Sequence, residues 1–335
     1  MTYRPTAMIA AGMLLMLESC NGGSPSPTPS PTPSPSPTSS PAPTPSPTAT
    51  PTAFPLTSAA EFDSISARVN YTGDPAAHIV IEAGSVAGLS NAVRVSLTGA
   101  IATGSFGVKD NGEQTFFTNA NVTLAPDPTV TEYMFRIEDS ATAGKFSQLD
   151  FLNNSIASQV TSNAVFARSH VSYANWWRSD STAGQKRFTT SVFGYSTAAA
   201  QVPTSGTSSY ASGATGRVIR AFADGSSTER VTGTATVSVN FATGLIDATI
   251  SLSTCPFPRC ANALVIGTFS GQASIPAGGN AFTGTISSAD GATGSFTGTF
   301  FGPQAKEIGM SFVIRGTYGA GADQRIVGGI VGAKP

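Results

Sequence analysis

Charge is what this 335-residue chain has least of. Eighteen Lys plus Arg and nineteen Asp plus Glu amount to 11% of it, against roughly 25% in an average soluble domain. Ion-pair networks therefore do not dominate its surface. A formal net charge of -1 supplies no basic field for phosphate neutralisation, which argues against nucleic acid as a partner. Two His and three Cys leave little material for a metal centre or a His-dependent triad. No G-x-S-x-G, P-loop, H-E-x-x-H or dinucleotide fingerprint occurs, no cofactor is implied, and the chain reads as a non-enzyme. In place of the missing residues stand 35 Gly, 20 Phe and abundant Ser, Thr and Ala, which is strand and turn chemistry.

The apolar run Ala7 to Leu17 follows Arg4. It is long enough for an export signal and too short to span a bilayer. Leu17-Glu18-Ser19-Cys20 then resembles a bacterial lipobox, with Glu18 an unusual occupant of its middle. The resemblance implies a lipoprotein signal peptide over 1–20 and lipid attachment, palmitate included, at Cys20. Asn21 stands where an inner-membrane retention signal would have Asp, so the outer membrane is the implied destination. An ordinary secretory signal with a chance cysteine is the alternative. Residues 21–55 hold thirteen prolines and no charge, so no core can form there. A disordered Pro/Ser/Thr tether is expected, reaching on the order of 100 Å at about 3.1 Å per residue.

Period-two patterning begins beyond Pro55. In Gly233 to Phe241, residues Ala235, Val237, Val239 and Phe241 alternate with Thr234, Thr236, Ser238 and Asn240. Ile246 to Ser253 repeats the alternation after Ala242-Thr243-Gly244, giving an antiparallel hairpin. Further strands are expected at Arg217–Phe222, Ala263–Ser270, Ala281–Ser287, Thr293–Phe301, Ser311–Tyr318 and Gln324–Gly332. Eight short strands with internal glycines suit a closed barrel. Several are nearer seven residues than the ~9–11 of a membrane barrel, so a soluble barrel with an apolar inside is expected. Between Leu56 and Pro203 the candidates are His78–Ala83, Ala92–Leu97, Glu132–Ile137, Ala164–Tyr173 and Arg187–Tyr195, with no convincing helix. The fold class is all-β: an antiparallel sheet over 56–203 packed against an eight-stranded barrel over 204–335.

With Cys20 assigned to lipid, Cys255 and Cys260 read as a local disulfide in an exported protein, and C-x4-C without a nearby His is a weak metal signal. His78 and His170 sit in strand-like segments, with no nucleophile placed between them and a carboxylate. Trp176, Trp177 and Tyr195, with Tyr173, concentrate aromatic surface. They read either as core packing or as a recognition patch, and they are the weak candidates for ligand contact.

GSFTGTFFGPQAKEIGMSF at Gly294 to Phe312 resembles the barrel signature of transferrin-binding protein B-like surface lipoproteins. Gly298, Phe300, Gly302, Pro303, Ala305, Glu307 and Gly309 fall on that signature, while Phe301 replaces a common Tyr and Met310 a usual Gly. PTSGTSSYASG from Pro203 and VSVNFATGLIDATIS from Val237 resemble the strand leading into that barrel and its early hairpin. The resemblance implies a handle domain before the barrel, a short segment opened by Pro303 that plugs or caps the barrel end, and a surface-exposed outer-membrane lipoprotein. It also implies non-catalytic binding of a host protein, an iron or haem carrier, or another solute. A structural surface protein or adhesin without a small ligand is the alternative, and a hydrolase a further one.

Overall fold

The computed structural model describes residues 53–335 apart from 75–76, 111, 181–184, 257–259, 261 and 320. The expected signal peptide, Cys20 and all but the end of the tether lie outside the described residues. Ten strands make the first half: β1 (Ala60–Asp74), β2 (His78–Ile81), β3 (Ser85–Leu97), β4 (Ser105–Asp110), β5 (Glu113–Thr118), β6 (Val122–Leu124), β7 (Glu132–Glu138), β8 (Phe146–Leu152), β9 (Val171–Asp180) and β10 (Gln185–Gly194). They form one antiparallel sheet in the order β5-β4-β3-β1-β10-β9-β8-β7-β6, with β2 on β1. The sheet curls until β5, at one edge, reaches across to β8, where Ser147 Oγ donates to Thr115 Oγ1 at 3.3 Å. Aromatic rings fill the curl: Phe106 stacks on Phe135 and Phe151 with centroids 5.1 Å away in each case.

Eight further strands, β11 (Thr207–Phe222), β12 (Gly225–Asn240), β13 (Leu245–Thr254), β14 (Val265–Ser274), β15 (Ala281–Ser287), β16 (Thr293–Phe301), β17 (Glu307–Tyr318) and β18 (Ala322–Ala333), close into a barrel. Closure comes from the pairing of β11 with β18, Ala211 opposite Ala333 to Ala221 opposite Asp323. One apolar cluster fills the bore, with side chains from every strand. The outward positions of β13, Asp247, Thr249 and Ser251, are exposed. The barrel is thus apolar inside, as expected.

Strand lengths differ from the expectation. β11 and β12 each run 16 residues, and β17 and β18 each run 12, so shortness is not what marks this as an apolar-cored barrel; the filled bore is. β11 starts ten positions before the expected Arg217 because both of its faces are buried from Ser212 to Ala221, which removes the alternation that announces a half-exposed strand. The expected strand at Ala164–Tyr173 is a turn until β9 begins at Val171. Asn163 dictates this, its side chain accepting the Val165 N–H at 3.0 Å and its carbonyl the Phe166 N–H at 2.9 Å, the local capture that favours turns over strands. β1, an interior strand of the curled sheet, and β4, β5, β6 and β8 were not anticipated.

The curled sheet lies against the barrel through two apolar clusters. Ala67, Val69 and Phe188 meet Ile219, Val313 and Val327 in one. Ile65, Val192 and Tyr173 meet Phe301 and Val331 in the other. At Gly329 an added Cβ would lie 2.9 Å from the Thr190 and Val192 methyls, so glycine lets β10 approach β18 this closely.

Candidate functional site

Apolar side chains from every strand occupy the bore, which leaves the outside as the surface for ligand contact. The outside has two distinct ends. At one, the chain enters: the Phe54 N–H donates to Ser169 O at 2.6 Å and the Leu56 N–H to Ser155 O at 2.8 Å, close to where β1 begins. The 3-10 turn Pro303–Ala305 lies at this end, with Ala305 buried in the barrel core and its carbonyl accepting Tyr210 OH at 2.6 Å. This turn is the plug implied by the signature.

The opposite end carries the β11–β12, β13–β14, β15–β16 and β17–β18 connections of the barrel. The handle contributes β2 to it, for His78 Nδ1 lies 2.7 Å from Phe222 O and Arg325 Nε donates to Glu82 O at 3.0 Å. Between β2 and these barrel loops sits an open hollow of about 630 Å³ lined by Val80, Phe222 and Tyr318, with Val80 and Tyr318 among the exposed large apolar side chains.

A second recess of about 540 Å³ opens at the same end, in the mouth of the curled sheet. Arg178 of β9 and Arg187 of β10 line it, and both pair with Glu113 at the start of β5. Behind them Asp110, 1% exposed, takes Arg68 Nη1 at 3.1 Å and the Thr189 hydroxyl at 2.9 Å, with Arg187 Nη1 at 3.6 Å. Burial, then repulsion from Arg187, pushes the Arg178 guanidinium down to about 10.

The signature residues turn out to build the joint between sheet and barrel. The Glu307 carboxylate accepts the backbone N–H of Ser169, His170 and Val171 at 2.9, 2.8 and 2.9 Å. Gly302, at φ +72°, passes so near His170 that a Cβ would fall 2.8 Å from its ring. A buried polar network spans the same joint. Glu132 accepts Thr215 Oγ1 at 2.8 Å and Tyr173 OH at 3.0 Å, and pairs with Arg230. Burial pushes the Glu132 carboxyl up, but Arg230 and these hydroxyls outweigh it and hold it below its ordinary value. Asp150 pairs with Arg217 at 3.4 Å, yet burial wins there and raises its pKa.

The sequence-predicted residues disperse. Cys255 and Cys260 are disulfide-bonded, Cα atoms 4.0 Å apart, beside a cleft of about 340 Å³ also lined by Glu132 and Arg230. Trp176 is buried in the curl, its Nε1 donating to Ser147 Oγ at 2.8 Å. Trp177 points to the other face, donates to Tyr71 OH at 2.8 Å and carries the Arg217 guanidinium 4.0 Å above its ring. Tyr195 sits at the chain-entry end against Phe54 and Phe62, 5.4 and 5.3 Å between centroids. The three therefore form no common surface, although both tryptophans back onto residues lining the 540 Å³ recess. His78 and His170 lie at opposite ends. Among the described residues no cluster of three or more His, Cys, Asp or Glu is arranged to hold a metal.

Residues 202–335 match the family described as the C-lobe and N-lobe beta barrels of Tf-binding protein B. Over those residues the barrel is similar to that family, and the chain is transferrin-binding protein B-like in layout, with the curled sheet in the handle's place ahead of the barrel. Solved structures similar to the whole chain include a mutant of Transferrin Binding Protein B from Haemophilus parasuis, at 12% identity over 82% of this chain and 77% of that one, TM-score 0.38. Another is isotype 1 Transferrin binding protein B from serogroup B Neisseria meningitidis, at 14% identity over 81% and 43%, TM-score 0.41. A third is HpuA from Kingella denitrificans in complex with human haemoglobin, at 14% over 85% and 90%, TM-score 0.38. No curated protein matches the chain.

Proposed function

We propose that this is a non-catalytic binding protein, anchored by lipid at Cys20 to a bacterial outer membrane, whose surface-exposed far end meets a host protein, an iron or haem carrier, or another solute. On this reading 1–20 is the signal peptide, 21–55 the tether, 56–203 the handle and 204–335 the barrel. The observation that carries it is the filled bore together with the position of the loops. With the bore occupied by apolar side chains, recognition falls to the outside, and the barrel loops and the handle mouth face away from the end where Phe54 is held. A tether entering there would present them outward. Exposed Val80 and Tyr318 at that end are the kind of apolar surface that marks interaction sites.

The names borne by similar proteins choose the first two ligands to try, transferrin and haemoglobin, and free haem is the third, each flowed over the full-length chain held by its N-terminus. Saturable binding of at least one is expected. It should be lost when 288–292 and 319–321 are replaced by Gly-Ser and kept when 242–244, at the other end, is replaced. Absence of saturable binding to all three would overturn the reading. Mass spectrometry of the native protein should find acyl chains on Cys20.

A further inference from the structure

Three guanidiniums, of Arg68, Arg178 and Arg187, gather at the handle mouth around two carboxylates that are held very differently. Asp110 is buried and engaged on both oxygens by Arg68 and Thr189. It is a fixed part of the wall. The Glu113 side chain is 54% exposed and sits at the first position of an edge strand, touching the outer faces of Arg178 and Arg187. Swinging it into water costs little, since exposed ion pairs are worth about 0–1 kcal/mol. It therefore occupies, from within the chain, a place shaped for an exchangeable carboxylate. Planar guanidinium pairs are the recognition element of choice for that group.

The other acids at the recess are already committed. Glu82 accepts from Asn70 Nδ2 at 2.8 Å, and Asp139 caps the Ala141 and Thr142 N–H groups and pairs with Lys145. Meanwhile Arg178 Nε is buried without a hydrogen-bond partner among the described residues, an orphan donor of the kind that points to a missing acceptor. The rest of the wall has an apolar part on the same inner face, at Ile137. The recess volume of about 540 Å³ falls in the range of small-molecule sites.

We propose that the handle mouth is a binding site for a small carboxylate with an apolar tail, which displaces Glu113 and is clamped by Arg178 and Arg187 with its tail beside Ile137. The proposal shares with the preceding section only the choice of this end as the binding end.

Trp176, stacked under Arg178 at 4.1 Å, supplies the readout, while Trp177 lies on the other face of the sheet. The full-length chain is titrated with 3-phenylpropionate, and with 3-phenylpropionamide as the uncharged control, following tryptophan emission and heat of binding. Saturable binding of the acid and none of the amide is expected. Glu113→Gln, which removes the internal competitor at an exposed position, should tighten binding about tenfold, and Arg187→Met should weaken it by at least about tenfold, each the equivalent of one charge-assisted contact. Equal response to acid and amide, no response from either, or indifference to Glu113→Gln would each overturn the proposal. Haemoglobin and transferrin binding, measured on the same samples, separates the two readings: host-protein capture without a phenylpropionate response sinks this inference alone, and the converse sinks only the preceding one.

Discussion

Glu307 and His170 stand 137 positions apart in sequence, yet the Glu307 carboxylate receives the His170 backbone N–H at 2.8 Å. With the neighbouring N–H groups of Ser169 and Val171, this one side chain completes the hydrogen bonding of the turn from which β9 leaves. A family signature read as barrel chemistry is therefore also the clasp that sets the handle.

Glu307→Ala should strip the acceptor from buried backbone donors and lower stability by on the order of 3 kcal/mol, because each orphaned donor carries a desolvation penalty. Denaturant midpoints measure this. Glu307→Gln, which keeps one carbonyl acceptor, should cost less; equal losses would mean that the carboxylate oxygens are not acting as acceptors.

Breaking the Glu132–Arg230 pair from one side should be worse than removing it. Arg230→Met leaves a buried carboxylate alone and should destabilise by about 3–5 kcal/mol, while adding Glu132→Leu should recover most of that loss. Thermal melts of the single and double variants decide, and a double variant no better than the single would refute the pairing as drawn.

The disulfide should matter locally. Cys255 and Cys260 close a loop with a separation of five residues, for which chain entropy gives about 2 kcal/mol. Mild reduction should leave the far-ultraviolet circular dichroism of the barrel intact. Wholesale unfolding on reduction would contradict this.

Alkaline pH should unfold the protein. Burial raises the phenols of Tyr71, Tyr133, Tyr173, Tyr195 and Tyr210 above the ordinary 10.0. The folded state then holds these protons more tightly than the unfolded one. Their contribution is full below pH 10, and it falls away as pH climbs toward the folded values. In a variant carrying Tyr3→Phe and Tyr318→Phe, phenolate absorbance and loss of ellipticity should rise together above pH 10; phenolate appearing while the fold persists would contradict it.

Strands β13 and β12 were readable in the sequence because their outer faces meet water: β13 alternates exposed and buried from Leu245 to Leu252. β11 and the start of β17 were blurred for the opposite reason. Their inner faces line the bore and their outer faces, at Ile219 and Val313, lie under the handle, so nearly every position is buried and period two vanishes; β18, expected at Gln324–Gly332, was legible nonetheless. β1 is hidden in the same way where every residue from Ser64 to Ala67 is buried. The binding recess left no trace in the sequence at all. Arg68, Asp110, Glu113, Arg178 and Arg187 come from five strands and share no spacing, and only strand order brings them together. The aromatic candidates were found by concentration, but β9's alternation sends Trp176 and Trp177 to opposite sides.

Since the barrel's flank at Val313, Val327 and Ile219 has no polar coat of its own, a barrel expressed from residue 204 onward would bare a greasy stripe in place of the handle. Such a fragment would self-associate, and antigens or sensors derived from this protein are better cut ahead of Phe54 than between the two sheets.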